Sequence, residues 1–342
     1  MTTATESLLG ESNAFLEIIE QASRLAPLRK PVLIIGERGT GKELIAHRLH
    51  YLSARWDQSF VTINCATLSE SLLETELFGH EAGSFTGAAK RHQGRFERAD
   101  GGTLFLDELA TTSARVQEKL LRVIEYGEFE RVGGAKPLKV DVRLVCATNE
   151  DLPALADRGQ FRHDLLDRLA FDVITLPPLR ERREDILMLA EHFAHSMTRE
   201  LGYPLFAGFS RKATQLLLDY HWPGNVRELK NVVERSIYRQ GNPQLPLSTL
   251  VINPFDSPWR PQATQPAQEA RSEVQSASPL ALPLDLKQAV AEYEINLLKQ
   301  AMQQSQYNQR KAAQLLALSY HQFRGMLRKY QLLDGDNDAE QE

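Results

Sequence analysis

The sequence predicts an α/β domain built on a parallel sheet, closed by a helical lid and followed by a linker and an all-α C-terminal module. Three observations predict it. From residue 31 to residue 176 short apolar runs alternate with helical patterns, the pattern of parallel strands joined by crossover helices. From the Pro177-Pro178 pair to residue 252 the periodicity is helical, without a strand signal. Residues 253–283 are rich in Pro, Gln, Ser and Ala, and helical periodicity returns at Leu284, which marks the intervening stretch as a flexible linker. The expected division is therefore an α/β subdomain over 1–176, a lid over 177–252, a linker over 253–283, a helical domain over 284–333 and an acidic tail over 334–342.

Taken in order, the apolar runs at 31–35, 60–63, 102–107, 140–148 and 171–176 are the expected strands. Between them, 42–52 carries Leu44, Ile45, Leu49 and Leu52, and 116–124 carries Val116, Leu120, Leu121 and Ile124, both at helical spacing. In the lid, 184–201, 210–219 and 225–239 are helices, with Asn225 as the expected cap of the last. Leu286, Val290, Tyr293, Leu297 and Leu298 mark a long helix that leads into the terminal module.

Gly36-Glu37-Arg38-Gly39-Thr40-Gly41-Lys42 follows a strand and opens a helix, the context of a phosphate-binding loop. Its glycines let backbone N–H groups turn toward a phosphate chain, the helix N-terminus adds positive potential, and Lys42 supplies a point charge. Glu43 stands where a hydroxyl ligand for magnesium is common, so the metal must rely on water, phosphates and Asp107. Leu104-Phe105-Leu106 ends in Asp107 and Glu108, a carboxylate pair suited to holding Mg2+ (Asp107) and polarising the attacking water (Glu108). These residues point to an ATPase that uses ATP and Mg2+. Gly83-Ser84-Phe85-Thr86-Gly87-Ala88 lies between them; its glycines let the chain reverse and set an aromatic ring at a loop tip. Such a tip is either a plain surface hairpin or a grip for another protein.

That hexapeptide resembles the GAFTGA loop of bacterial enhancer-binding proteins, the AAA+ ATPases that activate RNA polymerase carrying sigma-54; Ser84 replaces the alanine. Gly-Lys-Glu at 41–43 is also characteristic of them. The resemblance runs from about residue 7 to residue 330 with the motifs in family order. It implies an AAA+ P-loop fold, a ring of subunits (a hexamer), and Phe85 loops that engage the sigma-54 holoenzyme to open promoters. Several residue roles come with it. Asn64 resembles the polar partner that restrains the catalytic glutamate, although a turn-forming Asn is the other reading. Thr148 and Asn149 match the sensor beside the γ phosphate, and Arg227, in Trp222-Pro-Gly-Asn-Val-Arg-Glu-Leu229, matches the second sensor. Arg162 and Arg168 resemble arginine fingers; spacing alone also allows two surface arginines facing Asp164 and Asp167. Glu130-Arg131 falls in the second pore loop.

The 309–330 segment reads as helix, tight turn, helix, with no acid from Gln306 to Tyr330. It resembles a Fis-type helix-turn-helix, which implies enhancer DNA as a ligand, with a generic three-helix interaction module as the alternative. Ser319, Tyr320, His321, Gln322 and Arg324 lie where base edges are read, and Arg310, Lys311, Arg328 and Lys329 suit phosphates.

The phosphate loop begins only 35 residues into the chain, leaving no room for a sensory domain of roughly 100 residues. Control by a separate inhibitor follows, by resemblance the membrane-stress protein PspA, at phage-shock genes. Trp56 lies in a polar connector and is its candidate contact, the alternative being an indole folded onto the neighbouring helix. At 42% hydrophobic and 25% charged residues with net charge −5, the 342-residue chain has the composition of a soluble globular protein and cannot coat nucleic acid along its whole surface. No run approaches the ~18 apolar residues of a membrane span and no signal pattern opens the chain, so direct membrane insertion is excluded and a cytoplasmic location is expected. Cys65 and Cys146 lie in strand-like runs and are expected as buried free thiols. Two other classes stay open: an AAA+ ATPase with a different client, and a DNA-binding regulator whose nucleotide site is only an assembly switch.

Overall fold

The computed structural model describes residues 8–85, 88, 90–256, 259, 286–305, 308–330 and 332. The 334–342 tail, nearly all of the 253–283 linker, Thr86 and Gly87 lie outside the described residues. The chain divides into two compact units, Met1–Pro258 and Trp259–Glu342.

Among its described residues the first unit carries seven strands: β1 Val32–Ile35, β2 Phe60–Asn64, β3 Thr103–Asp107, β4 Glu128–Glu130, β5 Pro137–Lys139, β6 Arg143–Thr148 and β7 Val173–Thr175. Its α-helices are α1 Asn13–Leu25, α2 Lys42–Tyr51, α3 Glu70–Phe78, α4 Arg95–Arg98, α5 Ala114–Tyr126, α6 Leu152–Asp157, α7 His163–Leu169, α8 Arg183–Glu200, α9 Arg211–Asp219 and α10 Asn225–Gln240. The second carries α11 Leu286–Gln304, α12 Gln309–Leu315 and α13 Tyr320–Lys329.

Five strands form one sheet in the order β2-β3-β6-β1-β7, every pair parallel. The central strands are almost wholly apolar because helices cover both faces of the sheet; all six residues of β6 are buried. One core layer joins Leu33, Leu104, Leu106 and Cys146 to α3, α5 and α7, and the other joins Ile34, Phe105 and Val145 to α1 and α2. Both cysteines are free and buried, and burial pushes the Cys65 thiol up to about 12.

The expected 140–148 strand is shorter than its apolar run. Pro137–Lys139 instead pairs antiparallel with Glu128–Glu130 as a separate hairpin, and the Val140 N–H bonds the Gly127 carbonyl at 2.8 Å to close its base. Pro31 precedes β1 because it has no N–H for the ladder. Helix α5 begins under a Ser113 side-chain cap and ends at Gly127 with φ 68, a left-handed stop that glycine adopts without strain.

The lid packs α8, α9 and α10 around Trp222, which is 1% exposed and donates its indole N–H to the Leu217 carbonyl. Asn225 is not the expected cap: Gly224 takes that place, and Asn225 itself has φ 52. In the second unit, Ala312, Ala313, Phe323 and Leu327 pack on Leu298 and Ala301 of α11. The α12–α13 turn passes through Ala317 at φ 54, and α13 opens with a Ser319–Gln322 capping box.

Candidate functional site

Parallel pairing sets the C-terminal ends of neighbouring strands side by side. Asn64 is in register with Asp107, and Ile35 with Thr148, so the loop after β1, the acids ending β3 and the polar end of β6 share one sheet edge. Ligands of such sheets bind beyond that edge. The Gly36 N–H continues the ladder to the Thr148 carbonyl at 3.2 Å, after which the chain turns through Gly39 (φ 79) and Gly41 (φ 99) into α2.

Lys42 is 8% exposed, and its ammonium donates to the Gly36 and Glu37 carbonyls at 2.8 and 3.2 Å. Burial lowers its pKa, while Asp107 and Glu108 pull the other way. The loop is further fixed by the Thr40 hydroxyl, which donates to the Glu37 carbonyl at 2.9 Å. Glu43, in the first turn of α2, faces His47 at 4.0 Å.

Glu108 holds a left-handed backbone (φ 53) directly after the strand, a conformation that costs a non-glycine residue energy and collects at functional sites. Its carboxylate lies 3.9 Å from Arg38. Asn64 does not reach Glu108 here. Its amide donates to Asp107 at 3.3 Å and its carbonyl accepts from the Ala66 N–H at 2.9 Å. The register explains this, because Asp107 rather than Glu108 is the residue opposite Asn64. Thr148 is buried and its hydroxyl accepts from the Glu150 N–H; Asn149 beside it is half-buried.

The lid meets the loop directly. The Arg227 N–H points to the Gly39 carbonyl at 3.4 Å, and a Cβ on Gly39 would fall 2.3 Å from the Gly224 carbonyl oxygen. The sequence did not reveal two further contacts, Arg180 and Asn225 on Glu37. Arg180 stands in a charged run that follows Pro177-Pro178-Leu179, and Asn225 stands at a helix start, where a local cap is the expected role.

Arg162, half-buried, precedes α7 and Arg168, exposed, lies in its last turn. Arg162 pairs with Asp164 at 2.7 Å. Arg168 pairs with Glu125 at 2.6 Å and not with its neighbour Asp167; adjacent residues point to different sides of a helix, whereas Glu125 comes from α5, packed alongside.

The aromatic loop rises from a bridge between His80 and His92. Gly83 (φ 80) turns it, and the Gly83 N–H donates to the Ala88 carbonyl at 2.7 Å. Phe85 is 46% exposed, with the His80 ring edge-on at 4.9 Å. Its base is locked by Arg131, 7% exposed, which pairs with Glu81 and Glu97. The Glu97 hydrogen bonds, ahead of those from Glu81, hold the Arg131 guanidinium above its ordinary pKa. A Cβ on Gly133, in the β4–β5 turn, would sit 2.5 Å from the Ser84 Cβ, so the two loops touch there. The Ser84 hydroxyl is buried without a hydrogen-bond partner.

Trp56 is 63% exposed, and Tyr51 and Leu52, shortly before it in the sequence, are exposed as well. In the second unit Arg310, Lys311, His321, Arg324, Arg328 and Lys329 are exposed, Tyr320 is half-buried, and Lys329 lies 3.7 Å from Glu294. The Ser319 and Gln322 side chains bind each other in the capping box, 2.8 Å apart. Among the described residues no cluster of three or more His, Cys, Asp or Glu is arranged to hold a metal, and no helix is long and apolar enough to cross a membrane.

Residues 8–175 match the family model for the sigma-54 interaction domain, and residues 180–256 match that for the AAA+ ATPase lid domain. The chain is 61% identical to the Psp operon transcriptional activator of Escherichia coli (strain K12) over 97% of its own length and 100% of that protein. It is 41% identical to the regulatory protein AtoC of the same organism, over 94% of this chain and 67% of AtoC. With the nitrogen fixation protein AnfA of Azotobacter vinelandii it shares 51% identity over 68% of this chain and 43% of AnfA. Among solved structures, NtrX from Brucella abortus in complex with ATP superposes with a TM-score of 0.66 at 32% identity, covering 94% of this chain and 69% of NtrX.

Proposed function

The chain belongs to the sigma-54 interaction-domain family of AAA+ ATPases, and on that premise we propose that it binds an enhancer and couples ATP hydrolysis to opening of sigma-54 RNA polymerase complexes at phage-shock genes. It is an ATPase and a homologue of the Psp operon transcriptional activator, with sigma-54 polymerase as its partner. The observation that carries the mechanism is the sheet edge itself: a phosphate loop, two strand-end acids and the lid arginine converge there, on the same α/β body that carries the Phe85 loop.

In the proposed reaction the N–H groups of residues 36–43 and the start of α2 cradle the phosphates, and Lys42 exchanges its carbonyl partners for phosphate oxygens. Asp107 would hold Mg2+. Its carboxylate, at the end of β3, is a hard oxygen donor, and phosphates and water would complete the ligands, the usual arrangement for this ion. Bound there, the ion would neutralise charge on the phosphates. Glu108 orients the water and takes its proton as the water oxygen bonds to the γ phosphorus and the bond to the β–γ bridging oxygen breaks, leaving ADP and inorganic phosphate. Asn64 acts on this step through Asp107. Thr148 and Asn149 sense the γ phosphate from the end of β6, and Arg227 senses the nucleotide from the lid.

Arg162 and Arg168 reach the surface and are held by carboxylates of their own subunit. We assign them to the neighbouring subunit's nucleotide in a ring, read as a hexamer by family membership. Gly83, Ser84, Phe85, Thr86, Gly87 and Ala88 form the contact with sigma-54. The basic surface of α12 and α13 binds enhancer DNA; Ser319, Tyr320, His321, Gln322 and Arg324 meet base edges, Ser319 and Gln322 also holding the helix start, and Arg310, Lys311, Arg328 and Lys329 meet phosphates. Exposed Trp56 is the proposed contact for an inhibitor resembling PspA. The domain division given by composition completes the proposal, and with polymerase and DNA as partners the protein works in the cytoplasm.

The test is open-complex formation by sigma-54 holoenzyme on a duplex promoter. ATP should support it and a non-hydrolysable analogue should not, and Phe85→Ala should hydrolyse ATP yet fail to open the promoter. Opening with the analogue would make the nucleotide site an assembly switch instead.

A further inference from the structure

Asn225 is fully buried, sits in the left-handed region at φ 52, and uses its whole amide across three chain segments. Its NH2 group donates to the Glu37 carboxylate and to the Arg38 carbonyl, both at 3.0 Å, and its oxygen accepts from the Leu179 N–H at 2.7 Å. Glu37 and Arg38 belong to the phosphate loop, Leu179 to the segment entering the lid, and Asn225 to the first turn of α10. An ordinary helix-start residue makes no such set of bonds. Left-handed backbone also disfavours most side chains, with asparagine among the few that accept it.

We propose that Asn225 is a positioning residue of the ATPase: its amide fixes the lid on the phosphate loop and thereby sets Arg227, two residues further along α10, against Gly39. The inference deepens the ATPase reading and rests on it. Three observations support the placement. The helix start has no slack, because the Gly224 carbonyl oxygen would lie 2.3 Å from any Cβ on Gly39. Arg180 grips the same Glu37 carboxylate at 2.7 and 3.0 Å, so two side chains from the lid side converge on one loop residue. The Glu37 backbone carbonyl in turn accepts from Lys42 at 3.2 Å. One residue therefore joins the phosphate-binding ammonium to the lid, and a shift of either is felt by the other.

The experiment titrates the full chain with a fluorescent ADP and a non-hydrolysable ATP analogue, and measures kcat and KM for ATP. Asn225→Asp sets a carboxylate against Glu37 and cannot donate to the Arg38 carbonyl. It should weaken nucleotide binding about tenfold, the loss expected when a hydrogen bond to a charged group is removed, with KM rising more than kcat falls. Adding Glu37→Gln to that variant restores a donor opposite the new carboxylate and should recover binding by about threefold. Asn225→Gly keeps the left-handed backbone, removes only the amide, and should also bind nucleotide more weakly. A purely architectural asparagine would lower the melting temperature while leaving the folded protein's nucleotide affinity unchanged and indifferent to Glu37→Gln. Affinities within about twofold of the parent in the folded Asp and Gly variants, or no recovery with Glu37→Gln, would overturn the proposal; if the Asp variant does not fold, the Gly variant decides alone. Failure of the unaltered chain to bind either nucleotide would instead remove the ATPase reading.

Discussion

Replacing Asp185 with alanine should destabilise the first unit by about 3–5 kcal/mol, the cost of breaking a buried ion pair from one side. Asp185 is fully buried and Arg182, its partner at 2.8 Å, is 2% exposed. The same carboxylate accepts from the Glu11 N–H at 2.7 Å, the Ser12 N–H at 2.9 Å and the Ser12 hydroxyl at 2.7 Å. Alanine would leave a guanidinium stacked on the Phe15 ring without its carboxylate, and backbone N–H groups without an acceptor at the entry to α1. Because α1 packs on the sheet and α8 belongs to the lid core, the clasp ties the lid to the α/β body. Burial alone would raise the Asp185 carboxyl, but the bonds from Glu11, Ser12 and Arg182 outweigh it and hold the group below its ordinary 3.8. Its contribution is therefore complete above that value and disappears as the pH falls through the lower folded-state value. Urea unfolding followed by fluorescence of buried Trp222 measures the effect, with far-UV circular dichroism to separate the transition of the second unit. A loss under ~1 kcal/mol, or an acid limb as steep in the variant as in the parent, would refute the reasoning.

Glu108→Gln should bind ATP normally and lose most hydrolysis, whereas Lys42→Ala should lose binding too; nucleotide titration beside phosphate release separates them. Inactive Arg168→Ala and Glu108→Gln subunits, mixed in one ring, should regain part of the hydrolysis, because some interfaces then pair an intact glutamate with an intact arginine. Ala317→Gly should raise the melting temperature of the second unit, since Ala317 holds φ 54 at an exposed turn; the gain is ~1 kcal/mol, and an unchanged or lower melting temperature counts against it.

The sheet was legible because covered parallel strands must be continuous apolar runs, and the turn from β1 into α2 because the glycines at 36, 39 and 41 mark a chain reversal before Lys42. Periodicity could not locate where such a run stops pairing. Val140 and Val142 look like the start of β6, yet residues 137–139 turn back on 128–130 and the ladder begins only at Arg143. Nothing in the sequence around Arg131 shows what it binds. Its partners, Glu81 and Glu97, lie 50 and 34 residues away in sequence, and only the packed structure brings those charges together.

The same limit applies to Asn64 and Asn225. An asparagine before a turn or helix suggests a local hydrogen bond, and Asn64 makes one to Ala66. Its second bond, to Asp107, follows from sheet register, and Asn225 bonds to segments more than 180 residues away in sequence as well as to Leu179. A side-chain amide has more donor and acceptor capacity than one local bond uses. In both residues that surplus is directed at the groups around the candidate nucleotide site, Asp107 for Asn64 and Glu37 and Arg38 for Asn225, which gives each asparagine a way to relate the strand-end acids or the glycine loop to neighbouring structure.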